Sequence, residues 1–189
     1  MKTQYYTACS LDGFIADRQN SLDWLLRLGD VAETSYPEFV RDVGALAMGA
    51  TTYAWLLEHP APGDAWPYAQ PVWVFTHRAF PAIPGADVRF VQGDVRPVHA
   101  EMARAAGGKN VWIVGGGELA AQFYDHGLLD EMIVQYAPVT LGGGAPLFPR
   151  ALTGPPLRLL SAETWGGTFV EVRYEVVRGG DAGAGAPPR

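Results

Sequence analysis

Cysteine is nearly missing from this 189-residue chain: Cys9 stands alone, so neither an intrachain disulfide nor a thiolate metal cluster can form. Its setting in the apolar-flanked run Tyr5–Ser10 predicts a buried thiol rather than a reactive one. Basic side chains are also scarce, fourteen against twenty acidic ones for a net charge of −6. That balance argues against nucleic acid or an anionic membrane as partner, because both reward a basic surface. An anionic small ligand needs only a few local donors and stays open. No stretch approaches the roughly 20 apolar residues of a membrane span. The opening Met1-Lys2-Thr3-Gln4 runs into a strand-like segment without an apolar leader, so a cytoplasmic protein acting on a small molecule is expected.

What the chain does have is short apolar runs punctuated by glycine. Thr3–Ser10, Ala45–Met48, Pro71–Thr76, Val88–Val91 and Val111–Val114 read as strands, bounded by Gly, Pro or Asp and rich in Val, Tyr, Trp and Phe. Runs apolar on both faces, such as Val111-Trp112-Ile113-Val114, suit the covered interior of a parallel sheet. Helices are expected over Thr34–Val43, Thr51–His59, Val98–Ala106 and Glu118–His126, with Thr34 and Thr51 as N-caps. Gly107-Gly108 and Gly127 fall where C-terminal caps belong. After Asp130 the alternation of strand and helix stops. Glu131–Thr140, Leu157–Thr164 and Thr168–Arg178 are all strand-like, the last two joined by a Gly166-Gly167 hairpin turn. The fold class is therefore α/β, a mostly parallel sheet with an antiparallel C-terminal end. Residues 1–178 are expected to form a single domain, and the Gly/Ala/Pro-rich segment 179–189 a flexible tail.

Three strand-to-helix or strand-to-loop turns carry the chemical signal. In Gly115-Gly116-Gly117-Glu118-Leu119 a buried strand opens into a helix whose first N–H groups are free to meet a phosphate. Glycine there lets backbone approach a ligand and take dihedrals a Cβ would forbid. Gly116→Val is thus expected to abolish nucleotide binding through backbone strain. The spacing is not that of a Rossmann first turn, and a plain tight turn would leave the same residues. A second such turn is Gly49-Ala50-Thr51-Thr52, and a third, Thr76-His77-Arg78, ends a strand with a hydroxyl, an imidazole and a guanidinium. Ligands of open α/β sheets gather at such strand ends, so the three together could hold a dinucleotide. Asp12, in Ser10-Leu11-Asp12-Gly13, is a candidate for acid–base work, although Asp-Gly is also a turn signal.

The order of these features resembles the dihydrofolate reductase superfamily, and within it the reductase domain of the riboflavin-biosynthesis deaminase-reductase in stand-alone form. The likeness rests on Ser10-Leu11-Asp12-Gly13-Phe14-Ile15-Ala16, Met48-Gly49-Ala50-Thr51-Thr52-Tyr53, Val74-Phe75-Thr76-His77-Arg78 and Ile113-Val114-Gly115-Gly116-Gly117-Glu118-Leu119. It continues through Leu129-Asp130-Glu131, Ala137-Pro138-Val139 and Leu141-Gly142-Gly143-Gly144. The resemblance implies a three-layer α/β/α fold, NADPH across the three turns and a cis peptide at Gly115–Gly116. It places Ala8 and Val114 against the nicotinamide and Trp24 and Phe39 in the substrate pocket. Gln135 and Tyr136 would line that pocket, with Asp12, Tyr136 or an ordered water as proton source. It also implies a homodimer, since that branch commonly pairs subunits.

Several departures limit the transfer. Aligned on Phe39, Ser35 stands where dihydrofolate reductases carry a pterin-binding carboxylate, and a hydroxyl cannot make the paired, charge-assisted bonds of that group. Ala50 replaces a basic neighbour of the cofactor phosphates, leaving His77 and Arg78 for a 2′-phosphate and NADH as the alternative cofactor. No Lys or Arg stands in the pocket-forming segments to take a substrate phosphate. The zinc deaminase signature is absent. The leading expectation is an NAD(P)H-dependent reductase of a small pyrimidine- or pterin-like ring. The alternatives are a dinucleotide-binding sensor or scaffold with reduced catalysis, and a flavin-binding protein on the same scaffold.

Overall fold

Strands buried on both faces dominate the architecture, as their uninterrupted apolar runs require. The structure is a computed structural model that describes residues 1–60, 66–81 and 83–178. The segment 179–189, expected as a tail, lies outside the described residues. One eight-stranded sheet is built from β1 (Thr3–Ser10), β3 (Val43–Gly49), β4 (Val72–Phe75), β5 (Val88–Val91), β6 (Asn110–Gly115), β7 (Glu131–Ala137), β9 (Arg158–Trp165) and β10 (Phe169–Glu175). Their order across the sheet is β5-β4-β3-β6-β1-β7-β10-β9. The pairs from β5 to β7 are parallel; β10 is antiparallel to both β7 and β9. The expected mixed sheet is therefore present, with its antiparallel pair at one edge.

Side-chain alternation splits the core into two layers. Tyr5, Cys9, Ala45, Ala47, Trp73, Val111, Ile113 and Val134 face helices α4 (Val95–Ala105) and α5 (Gly117–Asp125) through Val98, Met102 and Phe123. Tyr6, Leu46, Met48, Val72, Val74, Trp112 and Ile133 face the opposite side, with α2 (Tyr36–Arg41) and α3 (Ala50–Glu58) contributing Phe39 and Tyr53. Cys9 is fully buried, and burial pushes its thiol up to about 12, as its apolar flanks predicted. No helix among the described residues is long and apolar enough to cross a membrane.

The helix boundaries move for identifiable reasons. The stretch read as Thr34–Val43 is a 3-10 turn over Val31–Glu33 followed by the six-residue α2, with Pro37 in its first turn. Val43 already belongs to β3, where a Cβ on Gly44 would overlap the Ala106 carbonyl, so strand and helix pack backbone to backbone. Thr34 accepts from Tyr36 N at 3.2 Å, but the N-cap position is Ser35. Gly49, not Thr51, is the N-cap of α3. Helix α4 starts three residues earlier than expected because Asp94 caps it, accepting from Arg96 N at 2.8 Å, and Pro97 is harmless so near a helix start. Gly107, Gly108 and Gly127 take the positive φ of helix ends, and Gly166 and Gly167 that of a tight hairpin (φ 57° and 67°).

A small ribbon stands apart from the main sheet. Residues 11–20 contain β2 (Phe14–Ala16), which pairs with β8 (Ala145–Pro146) as a separate two-stranded ribbon. Backbone bonds reinforce it, from Leu147 N to Gly13 O (2.8 Å) and Leu11 N to Val139 O (2.7 Å). A short helix, α1 (Asp23–Leu26), follows.

Candidate active site

Because β4, β3, β6 and β1 are neighbouring parallel strands, their C-terminal ends form one continuous rim. A cleft of about 1130 Å³ opens along it. That exceeds the roughly 300–1,000 Å³ of a site for one small ligand. Along the rim it is lined by Gly49, Ala50, Thr51 and Thr52 after β3, Thr76 and His77 after β4, and Gly115 to Leu119 after β6. All three glycine- or hydroxyl-bearing turns thus reach a single cavity. Ala8 and Val114 line it between them, and Ile15, Ala16, Ala145 and Pro146 bring the β2–β8 ribbon over it.

Two helix N-termini open into this cleft without side-chain caps. Gly49 and Gly116 are the N-cap residues of α3 and α5, both extended, and neither helix has a capping side-chain hydrogen bond. Apart from Leu119 N, which is bonded to Gly116 O at 3.0 Å, the leading N–H groups of both nine-residue helices are therefore left for a ligand, whereas Asp94 closes the corresponding end of α4. The Gly115–Gly116 peptide is cis, as the resemblance implied. Gly116 itself has φ −94° and ψ −178°, a conformation open to any residue, and a Cβ there would meet only Ile15 Cδ1 at 3.8 Å. The expected strain at Gly116 is therefore not found. The sterically obligatory glycine is Gly117, whose Cβ would overlap the carbonyl oxygens of Pro146 and Leu147. At Gly115 a Cβ would meet Thr52 Oγ1 at 3.0 Å, so the first and second turns are packed together.

Glu118, in the first turn of α5, borders the cleft but is held by Arg150 through paired bonds of 2.9 and 2.8 Å. The guanidinium lowers the pKa of this carboxyl and offsets a negative charge that would otherwise face a bound phosphate.

Other expected site residues sit elsewhere. Asp12 does not line the cleft. Its carboxylate accepts from Ser10 Oγ (2.6 Å), Leu141 N (3.0 Å) and Gly142 N (2.7 Å), tying the β1–β2 turn to the segment before β8. The Ser10 bond, with the two backbone bonds, holds its pKa below the usual value, which suits an anchor and not a proton donor. A depressed folded-state pKa makes this anchor complete above the ordinary aspartate value of about 3.9 and lost as pH falls through the lower folded value. Amide exchange at Leu141 and Gly142 is expected to stay protected in wild type down to that acid range. Asp12→Asn should abolish this acid-dependent step, and an unchanged acid profile would remove the anchor.

Tyr136 occupies the opposite sheet face from Gln135, among the core residues on the α4–α5 side, because adjacent strand residues point to opposite faces. Arg78 lies over the Phe80 ring at 4.8 Å and does not line the cleft, although Thr76 and His77 do. Trp24 is likewise absent from the lining, while its neighbours Leu22, Leu25 and Leu26 form part of it. Phe39 stacks on Tyr6 at 4.4 Å, behind the cleft surface that Tyr6 forms.

Ser35 also sits behind Tyr6, in a buried polar group that includes the expected Gln135 together with Tyr6 and Glu171, which no sequence motif marks. Tyr6 Oη and Ser35 Oγ are 3.1 Å apart, and Ser35 Oγ donates a short bond to Glu171. Gln135 Nε2 donates to Tyr6 Oη (2.8 Å) and to Glu171 Oε2 (2.8 Å). The antiparallel register sets Glu171 directly opposite Gln135. Among the described residues lining the cleft there is no lysine or arginine; Asp30, Glu118 and His77 supply its titratable side chains apart from tyrosines.

A rim of parallel strand ends, two uncapped helix termini over one large cleft and an antiparallel closing pair define a protein of the dihydrofolate reductase-like fold. The chain belongs to the RibD C-terminal domain family, whose model matches residues 57–170. It is 33% identical over 175 residues to the uncharacterized protein YwjB of Bacillus subtilis (strain 168), covering 92% of this chain and 97% of that one. A Shewanella sp. PV-4 protein assigned by its name to riboflavin biosynthesis superposes with a TM-score of 0.80 at 28% identity, over 94% of this chain and 100% of that one. Dihydrofolate reductase from Enterococcus faecalis, solved with NADP(H), superposes with a TM-score of 0.59 at 12% identity, over 92% of this chain and 95% of that one, and shares the fold. The chain is thus a member of a reductase-type family.

Proposed function

We propose that the protein is an NAD(P)H-dependent reductase of a small heterocycle that carries no phosphate. The carrying observation is that all three phosphate-suited turns line one cleft large enough for a dinucleotide and a ring together. The uncapped ends of α3 and α5 would take the pyrophosphate, and Thr76 and His77 the far ribose. A bound nicotinamide would supply the hydride, while the protein contributes orientation and electrostatics. Ala8 and Val114 form the wall at which the nicotinamide would rest, and Gln135 and Tyr6 the polar floor beside it.

The riboflavin-pathway substrate is a phosphate ester, and a buried phosphate calls for charge-assisted donors. The absence of lysine and arginine from the described lining favours an unphosphorylated ring instead. With Asp12 and Tyr136 outside the cleft, the proton comes from water. Those same placements favour the second reading, a dinucleotide-binding sensor that does not turn over.

Stopped-flow oxidation of NADPH and NADH against pterins and aminopyrimidines, each with and without a phosphate, decides between them. Oxidation with an unphosphorylated ring is expected. Turnover of phosphorylated rings alone would sink the phosphate-free reading. Tight nucleotide binding without oxidation across the panel would favour the sensor.

A further inference from the structure

The buried group behind the cleft floor has its hydrogens accounted for one by one. Ser35 Oγ–H is committed to Glu171, so the Ser35 oxygen accepts: the Tyr6 hydroxyl is 3.1 Å away and Gln135 Nε2 3.4 Å, and Thr34 is a second side-chain partner of Tyr6. Tyr6 Oη then accepts the hydrogen that Gln135 Nε2 donates at 2.8 Å. The second Gln135 hydrogen goes to Glu171 Oε2 at 2.8 Å. Every donor in the ring ends directly or through a hydroxyl at one carboxylate. Gln135, Ser35 and Glu171 are all buried, at 5%, 7% and 5% exposure, so these bonds are largely shielded from solvent.

An amide's orientation is set by its partners. A carboxylate that already receives the Ser35 hydrogen cannot face the amide oxygen, so the NH₂ end of Gln135 must turn toward Glu171. Gln135 Oε1 has no partner among the described residues, it is not among their buried unpartnered atoms, and Gln135 lines the cleft.

We infer that Glu171 is a positioning residue that fixes Gln135 as a hydrogen-bond acceptor, so that the site selects rings presenting an N–H over rings presenting a carbonyl or an alkylated nitrogen there. The inference rests on the reductase reading for the occupant of the cleft, and on the ring of hydrogen bonds for the polarity of its floor. The donors Tyr6, Ser35 and Gln135 would otherwise provide are consumed internally, which leaves acceptor atoms facing the ligand. Glu171 touches no ligand itself; it borders a separate crevice with Ser35, Phe39 and Glu163.

The probes are uracil and its analogue methylated on both ring nitrogens, titrated into the full chain saturated with nicotinamide nucleotide. Wild type is expected to prefer uracil by about fivefold to tenfold, the effect of one hydrogen bond. Gln135→Leu should remove that preference. Glu171→Gln, nearly isosteric, should reduce it to within about twofold while nucleotide affinity stays unchanged, because an amide at 171 accepts either orientation of Gln135. A preference untouched by Glu171→Gln, or none in wild type, overturns the inference.

A structure of the wild type with uracil tests it without any variant. A ring N–H on Gln135 Oε1 is expected, and a ring carbonyl on the Gln135 amide nitrogen overturns it. Should the nucleotide fail to bind, the same titration without it separates the two ideas. A uracil preference that persists then defeats the reductase reading and leaves the acceptor assignment standing.

Discussion

Gly117→Ala is expected to destabilise the protein by on the order of 3 kcal/mol and to remove nucleotide binding at the same time. The added methyl would overlap two backbone carbonyls, those of Pro146 and Leu147, neither of which can rotate away as a side chain could. Retreat of that segment is opposed on two sides. Leu147 N is bonded to Gly13 O at 2.8 Å, and Leu147 O accepts from the Tyr5 hydroxyl at 3.1 Å. Relieving the overlap therefore means lifting the ribbon from the start of α5, which is also one wall of the cleft. For a chain of this size the loss corresponds to a Tm lower by about 10 °C. Gly116→Ala is the control. Its methyl would meet only Ile15 Cδ1 at 3.8 Å, and its backbone is extended, so its Tm should match wild type. Thermal melts with nucleotide titrations by fluorescence check both, and a Gly117→Ala protein melting within about 2 °C of wild type would refute the steric argument.

The glycines show what a sequence can and cannot convey here. Their order after successive strands was enough to locate the rim, because parallel strands put every C-terminal end on one edge. Which glycine is irreplaceable was not legible, since Gly117 is constrained by residues thirty positions further along the chain. The same distance hid the ribbon: Phe14–Ala16 is too short to read as a strand without Ala145–Pro146 beside it. Tyr136 was placed one residue away from the face that matters, and a step of one residue in a strand changes sides. The alternation of Tyr5 with Tyr6, or of Gln135 with Tyr136, carried that information once the strands were assigned. Glu171 carried a weaker signal, a carboxylate spaced with Arg173 and Glu175 on one face of a strand. Only the register with Gln135 shows why it is buried. Asp12 stands out for its chemistry, yet besides the local Ser10 bond it accepts from Leu141 and Gly142, contacts no local pattern records.

Trp112→Ala is expected to cost about 3–5 kcal/mol, the range for truncating a large buried aromatic. That is a Tm lower by roughly 10–15 °C. Trp112 is 5% exposed on the central strand β6, and its indole N–H donates to Tyr6 O at 3.0 Å. Its ring meets Phe39, Tyr36 and Tyr68 edge-on at 5.4 to 5.7 Å, and Tyr6 at 6.2 Å. It therefore holds the aromatic layer on which Tyr6 and the polar floor of the cleft rest. Trp112 also lines the cleft beside Tyr6, so removing it widens the cleft there and the hydroxyl that accepts from Gln135 loses its fixed place. Trp112→Phe separates packing from polarity: it keeps an aromatic ring but leaves the indole donor out, which is worth about 1 kcal/mol. The alanine variant should lose ring-ligand affinity by a larger factor than nucleotide affinity, since the helix termini proposed to take the phosphates lie on α3 and α5. Calorimetric melts and paired titrations of nucleotide and uracil measure both effects. Equal losses for the two ligands would show that Trp112 supports the whole rim and not the floor beneath the ring.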